Sequence, residues 1–511
     1  MKLSEARIAA NRAPIARGQM ISRREFMAGS VALAVASNAS REPEPESILV
    51  NDIHSQLNPT RVLGISQPRS KEDVQSLVRM ARKDRKVISV AGGRHAMGGQ
   101  QFGTDTLLVD IRKLNRVLQL DRKNGILEVE AGIEWPELIG GYLNLQNGDG
   151  AAWGIAQKQT GADRFTMAGT IAANAHGRGL KLKPFVSDVE SFVLVDATGT
   201  AQRCSRRENP ELFRLVHGGY GLFGVVTSLQ LRLTPRKKVE RVVEIRTVDD
   251  LIAAFERRVA DGFLYGDFQF SIEPASDDFL HKGVFSCYRP VSIDTPIPPA
   301  EKQLTDENWR QLLYLAHTDK KQAYDRYADY YLSTNGQVYW SDLHQLSIYP
   351  ENYHREIDDK LHAPYPATEM ITEINVPRPA LKGFFDEVRE DFRKHGTELI
   401  YGTVRLIERD EESFLPWAKQ PYACTIFNLH TIHSLEGTKR SEYAFRRLID
   451  MAARRGGTYY LTYHRYATRN QVESCYPQFA EFLRLKRKYD PQERFQSEWY
   501  RHYRTMFADS L

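Results

Sequence analysis

The chain has 511 residues, 41% hydrophobic and 10% aromatic, enough to bury more than one sizeable core. Its formal net charge is +5, but six basic residues (Lys2, Arg7, Arg12, Arg17, Arg23, Arg24) against Glu5 and Glu25 place +4 before Ser37, so the body is close to neutral. That balance leaves no electrostatic case for a nucleic-acid or anionic-membrane partner.

Taken in chain order, the first feature is "SRREFMAGSVALAVASNAS". Two arginines precede a short apolar run, Phe26 to Ala36, which ends in small-x-small sites such as Ala34-Val35-Ala36. The pattern resembles a bacterial twin-arginine export signal over 1–36, with a flexible polar leader over 37–50. Such a signal implies the twin-arginine translocase as a partner and a periplasmic or secreted destination. The run is too short to span a bilayer, so no stable membrane span is expected. Export of an already folded protein directs attention to a cofactor in the body.

From Asn51 the pattern becomes globular. "SKEDVQSLVRMARKD" combines Ser70 and Asp73 as a cap with Val74, Leu77, Val78 and Ala81 at helical spacing. "KVISV" reads as a short buried strand running into "AGGRHAMGG". The strands "TLLVDI" and "GILEVEAG", then a helix opened by Pro136, continue an α+β unit without a sustained βαβ rhythm. "ESFVLVDATGT" reads as a strand and hairpin turn, and "VVTSLQLRL" as a strand leaving the unit before a boundary near Pro235. Beyond Val239 the chain is rich in aromatic strands and helices, without repeats. It closes on "YDPQERFQSEWYRHYR", whose Trp and Tyr content predicts docking on the body. Cys204, Cys287, Cys424 and Cys475 are scattered, with neither a zinc pattern nor a redox CxxC, and no metal site is expected. Each reads as a small buried thiol, and the spacing reveals no disulfide.

A strand followed by glycines exposes backbone N–H groups to an anion, and phosphate is the usual occupant. "GGRHAMGG" is neither a nucleoside-triphosphate P-loop nor a GxGxxG opening a helix, and alone it reads equally as a tight loop. In order, however, "GGRHAMGG", "DIRKLNRV", "LEVEAGIEWPEL", "AGTIAANAHGRG", "VESFVLVDATGT" and "ELFRLVHGGYGLFGVVTSLQLRL" together resemble the FAD-binding (PCMH-type) domain of the vanillyl-alcohol oxidase superfamily, nearest its aldonolactone and alditol oxidases. The resemblance covers about 51–236.

That resemblance implies an α+β fold: an FAD-binding domain of two subdomains over 51–236, a substrate cap over 237–455, and a carboxyl-terminal segment, 456–511, returning to the flavin domain. It implies FAD as cofactor, with Gly92, Gly93, Arg94, His95, Ala96 and Met97 cradling the pyrophosphate and His95 at the position of covalent attachment. A neutral imidazole nitrogen is nucleophilic enough for that bond. The second block would place Thr160, Gly161, Ala168, Gly169, Thr170, Ala173, His176 and Gly177 beside the flavin, His176 chiefly as a loop-fixing group. No cysteine there offers a second flavin bond. Val225 matches a residue whose backbone contacts the ring system.

Within the cap, Arg405 in "LIYGTVRLIERDEESFLPW" matches an arginine that projects toward flavin and substrate. The acidic residue expected two positions earlier is Thr403, which argues against a polyol substrate. In "CTIFNLHTIH", alternation puts Asn428 and His430 on one face. In "GGTYYLTYHRYATR", Tyr463 and His464 stand where relatives place a polar group at the flavin's reactive end, as proton acceptor or orienter. The implied activity is hydride transfer from an alcohol carbon of a small sugar-like, lactone or other hydroxylated molecule, with oxygen or a redox carrier as acceptor. A flavin-bearing binding or assembly protein without turnover is the alternative, and a colourless phosphate-gripping protein a third class.

Overall fold

A computed structural model of the chain describes residues 47–146, 152–299 and 301–511. The export-signal reading of 1–36 lies outside the described residues, as does the leader up to residue 46.

The helix Lys71–Lys83 forms as its sequence predicts. Ser70 Oγ accepts the Asp73 N–H at 3.0 Å, acids occupy the first turn, and bases the last. Val74, Leu77, Val78 and Ala81 recur at helical spacing and share a small core with Ile88, Val109, Val225 and Phe495. Beside them lies a three-stranded parallel sheet, ordered Gly64–Ser66, Leu107–Asp110, Ile88–Ala91. The glycine loop leaves the last of these. A five-stranded antiparallel sheet follows, in the order Ala201–Ser205, Val189–Val195, Val225–Arg232, Ile126–Glu130, Val117–Asp121. Its hairpin turn is closed by Asp196, whose carboxylate accepts the N–H groups of Thr198 and Thr200.

The largest element is an eight-stranded antiparallel sheet. Its order is Val338–Trp340, Lys238–Thr247, Lys282–Val291, Tyr265–Phe270, Leu399–Ile407, Tyr422–Ile432, Ala367–Pro377, Thr458–Tyr459. Period-two alternation gives the sheet two different faces. Phe427 points to one, against Phe384, Phe385 and Phe392 of the helix Leu381–His395. Asn428 and Ile426 point to the other, toward a chamber. Over that second face the helix Lys320–Ser333 packs Tyr327 and Ala328 on Val243 and Val284.

Pro235 is followed at once by this sheet, because Lys238 already pairs with Val291. Thr458–Tyr459 is its eighth strand, after which the chain crosses to the glycine loop, where Gln100 Nε2 donates to the carbonyls of Leu461 and Thr462. The closing segment then joins the parallel sheet: Ile88 N–H donates to Arg494 O at 2.7 Å and Gln496 N–H to Ile88 O at 2.8 Å. Trp499, Tyr500 and Tyr503 are buried there. All four cysteines are buried free thiols. Among the described residues no helix is long and apolar enough to cross a membrane.

Candidate active site

The glycine loop is shaped by a neighbouring strand of chain as well as by any ligand. A Cβ on Gly92 would stand 2.1 Å from Thr166 Oγ1, and one on Gly93 2.1 Å from the Arg164 carbonyl, so both positions need glycine for the loop to lie on 164–166. The N–H groups of Gly93, Arg94 and His95 donate to no acceptor among the described residues. Buried Arg94 Nε is likewise unpartnered. These donors face a groove of about 930 Å³, counting its open mouth, whose other walls are Ala168, Gly169, Ala172, Ala173 and the glycine-rich run 219–224. Unused donors around a long groove are what a phosphate-containing cofactor requires. Flavin adenine dinucleotide therefore fits the residues present.

His95 sits where this groove opens into the chamber. His95, Phe165, Gly169, Ala173 and Thr462 line both spaces. The imidazole is fixed on both sides: Nε2 lies 3.0 Å from the Arg164 carbonyl and Nδ1 lies 2.8 Å from His54 Nε2. Phe165 packs on its face at 4.2 Å. Because a carbonyl only accepts, Nε2 carries the proton and Nδ1 presents its lone pair to the His54 N–H. Burial, followed by the neighbouring His54, pushes the His95 pKa well below the usual histidine range, and burial pushes His54 to about 4. Both rings are thus neutral at physiological pH.

The chamber encloses about 2120 Å³, counting its open side, between the large sheet, the helix Lys320–Ser333 and the flavin groove. Strand register orders its wall. Tyr401 pairs with Asn428 and Asn428 with Ile371; Thr403 pairs with Ile426 and Ile426 with Glu373; Arg405 pairs with Cys424 and Cys424 with Asn375. On the other side Phe268 pairs with Val404 and Gln269 with Thr403. Beyond that pair Tyr265 bridges to Gly179 instead, and Asp267, between the two, lies 3.5 Å from Arg178 Nη1 and also lines the chamber. Arg405 is 5% exposed, and its Nε and Nη1 have no hydrogen-bond partner. No carboxylate comes within 4 Å of it among the described residues.

The residues singled out from sequence divide accordingly. Gly92, Gly93, Arg94, His95, Ala96, Ala168, Gly169 and Ala173 line the groove, while Thr160, Gly161, Thr170, Arg405, Asn428 and Tyr463 line the chamber. Met97 instead turns into the core, where its carbonyl accepts from Asn58 Nδ2. The Val225 side chain is also buried, with Gly224 and Val226 reaching the groove. His176 stands behind the wall, bonded to the Gly177 carbonyl at 3.0 Å and to Glu373 Oε1 at 2.7 Å. Gly177 is needed for packing, since its Cβ would meet Lys158 O at 2.7 Å.

Three site expectations change. His464 faces away from the chamber, stacked on Phe445 at 4.5 Å with Nε2 3.1 Å from Thr372 Oγ1, and burial pushes its pKa to about 3. It is a core residue because the turn after Thr458–Tyr459 aims Tyr463 at the cavity and lays His464 between Phe445 and Tyr466. His430 lies behind Glu369, its Nδ1 3.6 Å from the carboxylate. Burial raises the Tyr463 phenol far above its ordinary value, so this group stays protonated and donates. It cannot serve as the proton acceptor that its position suggested.

Asp267, Glu369, Glu373, Arg178 and Arg241 went unnoticed in the sequence, because only strand pairing over long separations brings them to one face. Among the described residues two donor groups lie close enough to share an ion, His176 with Glu373 and Cys424, and His317 with Glu369 and His430. In each the carboxylate already accepts a histidine hydrogen bond.

Residues 62–205 match the FAD binding domain family. L-gulonolactone oxidase of Bos taurus is 28% identical over 187 residues, 36% of this chain and 40% of that protein. Mitochondrial L-galactono-1,4-lactone dehydrogenase of Arabidopsis thaliana is 27% identical over 201 residues, 39% of this chain and 31% of that protein. Cytokinin dehydrogenase 3 of Oryza sativa subsp. japonica is 26% identical over 206 residues, 39% of this chain and 37% of that protein. The chain thus spans less than half the length of the curated relatives it matches. Residues 62–205 thus match an FAD binding domain, in a part of the chain similar to L-gulonolactone oxidase and L-galactono-1,4-lactone dehydrogenase.

Proposed function

We propose that the chain is an FAD-dependent oxidoreductase that oxidises an alcohol carbon of a hydroxylated substrate held in the chamber, with oxygen or a redox carrier as final acceptor. The observation that carries this reading is Arg405: a buried guanidinium with two unpartnered nitrogens, opening on a space continuous with the glycine-rich groove. Buried donors without a protein partner beside a cavity mark where a substrate oxygen belongs.

Bound FAD supplies the hydride acceptor. Arg405 holds the substrate hydroxyl oxygen and stabilises the negative charge that develops there as its proton leaves. Tyr463 and Asn428 donate hydrogen bonds that orient the same substrate. Asp267, which lines the same chamber as Arg405 and pairs with Arg178, is the carboxylate at hand for the hydroxyl proton. His95 is the covalent anchor in this reading: it is neutral, held by Phe165 and the Arg164 carbonyl at the seam of groove and chamber, and its Nδ1 lone pair attacks once the His54 N–H that it accepts turns away. Export through the twin-arginine route, with cofactor insertion first, rests on the Arg23-Arg24 segment, and a flavin portion of two subdomains under a cap on the sheet layout described above.

Anaerobic addition of a panel of polyols, lactones and aryl alcohols should bleach the flavin absorbance with at least one member, and readmitted air should show whether oxygen restores it. A yellow protein that no member bleaches would overturn the reading. After acid precipitation, native flavin should stay with the pellet and map to the His95 peptide by mass spectrometry. In His95→Ala the flavin should leave the pellet.

A further inference from the structure

The chamber extends well past Arg405, into a lobe that alcohol oxidation does not need. Between the strands carrying Arg405 and Arg241 lie two others, Tyr265–Phe270 and Lys282–Val291. Three strand spacings plus one row of register put the two arginine backbones roughly 16 Å apart.

Arg241 is 8% exposed and lines this lobe. Its Nε and Nη2 donate to Tyr288 Oη at 2.9 and 2.6 Å, and its Nη1 to Thr334 Oγ1 at 2.9 Å. The guanidinium lies 4.9 to 5.2 Å from the ring centres of Tyr339, Tyr331 and Tyr288. All these partners are neutral, and no carboxylate comes within 4 Å of it among the described residues. The other charges nearby do not help: Arg178 is paired with Asp267 at 3.5 Å, and His344 is held neutral by burial beside the two arginines. An arginine cannot shed its proton, so the lobe holds the Arg241 charge among aromatic rings with no carboxylate against it, while Lys302 stands exposed at its rim. Two further buried polar atoms there, Arg178 Nε and Tyr339 Oη, have no partner.

We propose that this lobe is a carboxylate-binding subsite: it takes the monoanionic end of a substrate whose planar or apolar body lies against the tyrosines, with Arg241 as counter-ion. The inference rests on the oxidoreductase reading only for what happens at the Arg405 end. The Arg241 charge matches a monoanion, and guanidinium with phenol donors matches a carboxylate's two oxygens. The tyrosine walls provide faces for a planar group.

Calorimetry on the flavin-loaded protein, comparing 3-phenylpropanoate with 3-phenylpropanamide, tests the subsite without requiring turnover. The acid should bind about tenfold or more tightly than the amide of the same shape. Arg241→Gln should abolish that preference while leaving amide binding intact. Tyr339→Phe, which removes an unpartnered oxygen and so leaves the fold alone, should weaken the acid about threefold and not the amide. Equal binding of acid and amide to the native protein overturns the inference, as does a preference that survives in Arg241→Gln. Tighter binding of phenyl phosphate than of the acid overturns the assignment to carboxylate. Because heat is read, the two proposals fail separately. A colourless protein that still prefers the acid would sink the oxidoreductase alone, and a yellow one that oxidises alcohols without preference would sink the subsite alone.

Discussion

The flavin groove and the chamber share a seam at His95 yet are built on opposite principles. The groove is made of backbone: glycines that let two loops touch, N–H groups left free, and small residues along one wall. The chamber is made of long side chains projected from one face of a sheet. A backbone site tolerates almost no change at a few positions, whereas a side-chain site tolerates change everywhere except at its charges. The family match over 62–205 takes in the glycine loop, whereas the tyrosine lobe lies outside it.

The largest break should come in the groove. Gly93→Ala sets a methyl against the Arg164 carbonyl, and destabilisation of about 3 kcal/mol is expected, with loss of bound flavin. Melting temperature and the flavin-to-protein ratio check it. Within the chamber, Arg405→Gln should leave both of those unchanged and slow flavin reduction by substrate about a hundredfold to a thousandfold, measured in a stopped-flow single turnover. A proportional loss of flavin would erase the distinction between the two regions.

At neutral pH the smallest effect concerns His464, which lies in neither. Burial holds its folded pKa near 3 against 6.5 for the free side chain, so between those values the unfolded chain binds the extra proton. Stability contributed by keeping it neutral is complete above 6.5 and is lost as pH falls toward 3. In His464→Gln this loss is absent, and the stability gap between native and variant should narrow by about 1.4 kcal/mol per pH unit below 6.5. Denaturant unfolding across that range measures it. Turnover per flavin should stay within about twofold of native, because the ring never reaches the cavity.

What could be read from sequence follows the same division. The helix Lys71–Lys83, the Asp196 turn and the glycine loop are specified by residues within a few positions of one another, and their patterns are visible directly. Alternation sets Asn428 and His430 on one face, while the resemblance aims that face at the site. It says nothing of His464, which stands in a turn beyond the strand Thr458–Tyr459. Asp267 and Arg241 could not be found, since their placement depends on pairings such as Tyr288 with Arg241 and Phe268 with Val404. No local pattern encodes a register between strands so far apart in the chain.

The pairing of Ile88 with Phe495 has a consequence for how the molecule comes into being. The strand that launches the glycine loop shares hydrogen bonds with Arg494 and Gln496, which follow the whole large sheet in the chain, so that edge stays open until they arrive. Contacts of such separation close late and slowly. The cradle is therefore finished only once 494–496 have docked, which places cofactor capture late in folding.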